Sequence, residues 1–354
     1  MNPASSKSFR ANVGTDRRSR NAAAPNADTQ GTGDDTQGTG LSGDNLPISE
    51  QLRSSRKQCR KIATSHYENF LVASVLLPRS MRQPFYDVYA FCRTADDIAD
   101  ESDSKEAATR GLADYRKQIA EIYSAAPTTT NFSDHQGLFT ALADTIARFD
   151  LPRDPFDALL DAFEQDQVTD RYDNQEQLLK YCQRSANPVG RLVLAMADCR
   201  DERSLKLSDQ ICTALQLTNF WQDIARDFKM GRIYLPKSVM NEHGFGEELI
   251  QQSIHDGTPT PLEIRQAVSE LCDQARQRFK QGRELTQRVP SWLAADVELF
   301  VRGGLATLDA IERAGFDVLQ RRVKIGKTRQ AWMTIKVVLA SRFPKLQLGQ
   351  GITQ

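Results

Sequence analysis

Between about Pro47 and Phe343 the apolar residues recur at spacings of three and four, the period of helices that bury one face. Leu112, Tyr115, Ile119 and Ile122 make one such stripe, and Ile211, Leu215, Phe220 and Ile224 make another. Prolines and glycines punctuate the periodic stretches, at Pro78, Pro84, Pro127, Pro152, Pro188, Pro236, Gly244, Pro261 and Pro290. No alternating run of β-type residues exceeds four positions. The pattern predicts roughly ten helices with short connections, hence one all-α domain over residues 49–345. Gly231 to Pro236 reads as a loop that ends a long helix.

Both ends of the chain are expected to lie outside that domain. Residues 1–48 hold the hexapeptide Asp-Thr-Gln-Gly-Thr-Gly twice, at 28–33 and 35–40, with no Trp or Tyr. Such a segment buries too little apolar surface to offset its ordering entropy, so it is expected to be a disordered, low-complexity tail. Residues 346–354 are expected to be a disordered C-terminus. The basic stretches Arg10–Arg20 and Gln320–Lys324 read as solvated faces.

Composition narrows the function classes. The chain has 46 basic and 46 acidic residues, which gives no general electrostatic reason to bind nucleic acid or an anionic membrane. Hydrophobic residues are 40% and mean hydropathy is −0.52. No stretch reaches the ~18 uncharged apolar residues of a membrane-spanning helix. The N-terminus lacks the apolar core of a secretion signal. The six cysteines form no Cys-x-x-Cys pair, so neither a zinc site nor a disulfide framework is expected. A cytoplasmic, reduced protein is the expectation.

The chemistry concentrates in two helical segments. In Tyr89-Ala-Phe-Cys-Arg-Thr-Ala-Asp-Asp-Ile-Ala-Asp100, Asp96 and Asp100 are four apart and share a helix face. Like charges at that spacing need compensation, from Arg93 one turn earlier or from a divalent cation. In Gln216-Leu-Thr-Asn-Phe-Trp-Gln-Asp-Ile-Ala-Arg-Asp227, the residues Gln216, Asn219, Asp223 and Asp227 make a polar stripe. Leu215, Leu217, Phe220, Trp221 and Ile224 surround that stripe, so its carboxylates must be paired or metal-bound. Two such stripes imply facing helices that clamp metal ions at the mouth of an apolar interior. A diphosphate leaving group needs that arrangement. The metals neutralise its developing charge, the apolar cavity excludes water, and aromatic faces stabilise a carbocation. Phe70, Tyr89, Phe91, Phe220 and Tyr234 are the candidate aromatics.

These motifs resemble the squalene/phytoene synthase family of head-to-head isoprenoid synthases. The resemblance rests on residues 89–100, on Gln-Leu-x-Asn-x-x-x-Asp-x-x-x-Asp at 216–227 and on Gly-Arg-Ile-Tyr-Leu-Pro at 231–236. His66…Phe70 with Leu76-Leu-Pro78, and Tyr181-Cys182…Ala186…Val189-Gly190, extend it over residues 55–320. It implies a single-domain isoprenoid-synthase-type helical bundle with a central apolar cavity. It implies two or three Mg²⁺ ions held with the substrate diphosphate by Asp96, Asp100, Asn219, Asp223 and Asp227. Arg93 and Arg232 would hold diphosphate oxygens, Tyr89 and Tyr234 would lie near the reacting carbons, and His66, Phe70, Gln216 and Phe220 would bind substrate.

Departures from the family pattern narrow the expectation. Tyr181-Cys-Gln-Arg-Ser-Ala-Asn-Pro-Val-Gly190 carries Arg184 and Asn187-Pro188 where condensing members usually have a second Tyr and a Gly-containing pair. Asn69 replaces a usual Ser, and Gln222 an Arg. The combination resembles the bacterial hydroxysqualene synthases of the three-enzyme hopanoid route. That subgroup ionises presqualene diphosphate, rearranges the cation and quenches it with water. Arg184 is then expected to help admit the water, and no NADPH is expected.

Three alternatives stand beside this expectation. They are a squalene or phytoene synthase condensing two prenyl diphosphates, a terpene cyclase, and an inactive assembly factor on the same fold. Tyr89–Arg93 and the 231–236 loop argue against the cyclase, and the four retained aspartates argue against the scaffold. Expected partners are the prenyl diphosphate, companion enzymes of the squalene route and, for hydrocarbon release, peripheral contact with the inner membrane face.

Overall fold

The computed structural model describes residues 48–65, 77–124, 137–320 and Val323. Residues 1–47 of the expected tail, residues 346–354, His66, Asn69 and Phe70 lie outside the described residues. The described residues form twelve α-helices and one 3-10 turn, somewhat more than the sequence pattern predicts. They are α1 (Ile48–Ser65), α2 (Arg79–Glu101), α3 (Lys105–Ser124), α4 (Phe139–Phe149), α5 (Asp154–Gln165) and α6 (Gln175–Ser185). Then follow α7 (Asn187–Met196), α8 (Glu202–Lys229), α9 (Lys237–Glu242), α10 (Glu247–Asp256), α11 (Leu262–Gly282), the 3-10 turn Arg283–Gln287 and α12 (Ser291–Arg313). Among the described residues no helix is long and apolar enough to cross a membrane.

Local chemistry sets several of the helix ends. Asn174 and Asp201 cap α6 and α8, each side chain accepting from the backbone N–H three residues on, at 3.0 Å. Pro155 and Pro188 occupy the first turns of α5 and α7, where a backbone N–H is not required. Pro84 is different. The sequence reading makes it a turn, yet it lies inside α2 and is buried there. Thirteen buried residues along α2 hold the helix through the one backbone bond that proline removes.

Two apolar cores divide the bundle. One gathers α1 to α5 around Phe91, Tyr115, Phe139 and Phe156. The other gathers α6 and α8 to α12 around Trp221, Phe279 and Leu271. Helix α7 lies at the seam, with Leu192 in the first core and Leu194 in the second. Val193 and Trp292 pack against both.

Contacts between helices fix their sense. Arg278 reaches Gln210, and Arg288 reaches Ser204, so α11 runs antiparallel to α8. Arg276 pairs with Asp309 and Glu312, so α12 turns back beside α11 and runs in the sense of α8. Beyond α12, the Gln222 amide donates to the backbone oxygen of Val323 and ties the chain to the C-terminal half of α8.

The approach of α11 to α8 depends on Gly282. A Cβ there would stand 2.9 Å from the Leu207 carbonyl oxygen and 3.2 Å from the Ile211 nitrogen, both backbone atoms that cannot swing aside. Gly282→Ala is expected to destabilise the protein by about 1–3 kcal/mol, read from the urea midpoint at an unchanged slope.

Candidate active site

The end of α8 is built by a glycine. Gly231 adopts φ +82°, the left-handed conformation that a glycine takes without a Cβ clash. Its N–H bonds the Phe228 oxygen at 2.9 Å, and the N–H of Arg232 reaches back to Asp227 at 2.9 Å. This pair of bonds is a Schellman motif, and it turns the chain back along the helix just left. The returning segment then bonds Asp170 through the Ile233 N–H at 2.9 Å. Arg232 and Tyr234 are thereby brought beside the last turns of α8.

Arg232 joins the two acidic helices. Its Nη2 lies 3.5 Å from Asp100 Oδ1, with side-chain exposures of 14% and 5%. The first acidic motif on α2 and the loop leaving the second on α8 therefore meet at one end of the bundle. Asp96 is buried and accepts from Arg93 Nη1 at 3.1 Å. Arg93 also bonds Asp97, a pairing the sequence reading did not include. Burial raises the Asp100 carboxyl above the ordinary carboxylate range, although Arg232 and Arg93 oppose the rise. On α8, Asp223 is buried with Arg226 Nη1 at 3.4 Å, Asp227 is half-buried, Gln216 is buried and Asn219 is exposed.

An aromatic wall adjoins these charges. Phe220 and Tyr234 stack with ring centroids 3.8 Å apart and planes 10° from parallel. Tyr181 lies 6.1 Å from Tyr234 and 6.3 Å from Phe220, and Tyr172 lies 5.8 Å from Tyr234. A small cavity beside the stack is lined by Phe220, Ile224, Asp227, Phe228, Arg232 and Tyr234. Burial pushes the Tyr89 hydroxyl up to about 12, so this half-buried phenol stays protonated at neutral pH.

Sequence reasoning missed Asp166. It is the C-terminal cap of α5, and no motif marks it. Its Oδ2 accepts from the Tyr181 hydroxyl at 2.9 Å, and Arg232, Asp100 and Asp96 act on its charge. Burial, opposed by Arg232 and the Tyr181 hydroxyl, pushes its carboxyl up to about 7. The unfolded chain, at the ordinary value of 3.8, gives up this proton before the folded protein does. Asp166 therefore works against folding increasingly between about pH 4 and pH 7. Asp166→Asn removes that dependence. Its melting temperature relative to the parent is expected to rise from pH 5 to pH 8, and a constant difference would contradict the assignment.

Arg184 does not join the site. It is exposed and donates to Gln165. Helix α6 buries Leu178, Tyr181 and Cys182, and Arg184 lies two positions past Cys182, on the opposite side of the turn. The expected role of Arg184 in admitting water is thus corrected. Asn187 does face inward: it is 2% exposed and accepts from Thr213 Oγ1 at 2.9 Å.

The residues suit Mg²⁺ in a particular way. Among the described residues no three acidic, His or Cys side chains converge into a metal cage. Mg²⁺ seldom needs one, because it keeps several waters and takes one or two carboxylates with substrate phosphates. Asp100 Oδ2 is buried without a hydrogen-bond partner, a donor of the kind such an ion takes. Two short acidic rows beside Arg93 and Arg232 offer carboxylate oxygens of the kind this ion takes.

Known proteins resemble this chain in sequence and fold. The squalene/phytoene synthase family model matches residues 63–329. A presqualene diphosphate synthase from Rhodopseudomonas palustris is 29% identical over 264 residues, covering 73% of this chain and 88% of that one. A phytoene synthase from Cereibacter sphaeroides is 28% identical over 299 residues, covering 81% and 80%. The crystal structure of squalene synthase HpnC from Alicyclobacillus acidocaldarius matches with a TM-score of 0.68 at 38% identity, covering 77% of this chain and 97% of that one.

Proposed function

Because the chain belongs to the squalene/phytoene synthase family, we propose that it converts presqualene diphosphate to hydroxysqualene and diphosphate. The observation that carries this reading is the Asp100–Arg232 pair, which gathers two acidic rows, two arginines and an aromatic wall at one end of the bundle. Asp96, Asp100, Asn219, Asp223 and Asp227 would hold two or three Mg²⁺ ions. When bound, these ions supply the charge neutralisation that lets the diphosphate leave. Arg93 and Arg232, buried among carboxylates, orient the diphosphate through paired N–H donors. Phe220 and Tyr234 form the aromatic wall beside the resulting carbocation, where a ring face contributes about 0.5–2 kcal/mol. The Tyr89 phenol, protonated at neutral pH, lies on the α2 face that carries Arg93 and Asp96. Gln216 lines the wall below the second acidic row. His66 and Phe70 keep their proposed substrate contacts from the sequence.

One feature favours presqualene diphosphate over two prenyl diphosphates: the 181–190 segment departs from the condensing pattern. The reading calls for no reductant, since water ends the reaction. Incubation with Mg²⁺ and either presqualene or farnesyl diphosphate tests it. Hydroxysqualene from the first alone is expected, and turnover of farnesyl diphosphate without a companion enzyme would overturn the assignment.

A further inference from the structure

Asp296 is a buried acid that the mechanism above leaves unused. It is 2% exposed, and neither carboxylate oxygen has a hydrogen-bond partner. An unsatisfied carboxyl at that depth is a large cost that an apolar residue would avoid. Its position gives the cost a purpose.

Asp296 lies one turn beyond Trp292 on α12, on the same helix face. Trp292 packs against both cores and meets the Phe85 ring of α2 edge-on at 6.3 Å. Phe85 in turn lies one turn before Tyr89 on α2. Helix α12 begins near the start of α8, where Arg288 reaches Ser204, and runs in the sense of α8. Helix α2 runs from the Trp292 contact to Asp100, at the end of α8. All three helices therefore point toward the acidic end. Tyr89 and Asp296 each stand one turn in that direction from the Phe85–Trp292 contact. Leu299, Phe300 and Gly303 continue the Asp296 face, and Phe300 stays 44% exposed although large and apolar. This face of α12 lies at the seam of the two halves, where Trp292 packs against both cores.

We propose that Asp296 positions the water that ends the cation cascade and takes its proton. The inference rests on the reading of a water quench. The departing diphosphate leaves a carbocation. The water oxygen forms a C–O bond to that carbon, one O–H bond breaks, and the proton passes to the Asp296 carboxylate. The product leaves as a neutral alcohol and Asp296 as a carboxylic acid. Burial alone pushes this carboxyl up to about 8, so the ionised form that takes the proton is the minor one at pH 7 and grows as pH rises, and a carbocation in the same apolar interior favours it.

The test follows products from presqualene diphosphate with Mg²⁺ in ¹⁸O-water, using the full chain and its Asp296→Leu and Asp296→Asn variants. Diphosphate release is expected to stay within about threefold in both variants, because ionisation takes place at the acidic end of the bundle, beside Asp100 and Arg232. The labelled alcohol is expected to fall by about tenfold or more as a share of product in Asp296→Leu, with hydrocarbons from proton loss in its place. Asp296→Asn, which can hold a water without taking its proton, is expected to fall between. A purely structural role would slow release and leave product shares alone. An unchanged alcohol share in either variant overturns the role of Asp296. A parent protein that forms no labelled alcohol overturns the functional reading instead.

Discussion

Replacing Asp96 with Asn is expected to slow diphosphate release from presqualene diphosphate by about a hundredfold to a thousandfold. The substitution keeps the side chain's shape and removes one anionic donor. Arg93 retains Asp97 as a partner, so no buried cation is stranded. The melting temperature is therefore expected to move little while kcat falls. Steady-state diphosphate release, read beside thermal unfolding, checks both halves. Full activity in a folded Asp96→Asn protein would remove the first acidic row from the mechanism.

Removing Arg232 should be costlier, because both stability and catalysis lose. Its guanidinium is the cation beside Asp100, and it acts on Asp166 as well. Arg232→Ala leaves two buried carboxyls without that partner. Breaking a buried pair in this way costs about 3–5 kcal/mol. Part of that loss is relieved by protonation, since burial raises both carboxyls already. The destabilisation is therefore expected to shrink as pH falls from 7 to 5. Catalysis should drop by about a hundredfold or more, and Arg232→Lys should recover stability better than activity, because lysine lacks the planar fork. Urea unfolding at the two pH values, with diphosphate release alongside, separates the effects.

The sequence made much of this legible. Three- and four-residue spacing reports helices, because burying one face imposes it, and every element among the described residues is a helix or a 3-10 turn. The acidic rows were visible because carboxylates set among Phe220, Trp221 and Ile224 contradict an ordinary solvated face. Other features needed the folded chain. Asp166 caps α5 with no motif around it, and its partners Tyr181 and Arg232 come from segments distant in sequence. Pro84 reads as a break in sequence, but the buried length of α2 outweighs one lost hydrogen bond. Arg184 sits three residues from the inward Tyr181, yet its side chain turns to the surface, where charge is cheaply hydrated. Asp296 has no motif around it, and only its burial and the Trp292–Phe85 contact in the folded chain tell that its helix face looks inward.

In the proposed site two acidic rows share Mg²⁺ with a diphosphate between them. Calorimetric titration of inorganic diphosphate into the protein, with and without Mg²⁺, tests this arrangement. Saturable binding that requires Mg²⁺, and that weakens by about a hundredfold in the double variant Asp96→Asn, Asp223→Asn, is the result expected. Equal binding without the metal, or in the folded double variant, would contradict it.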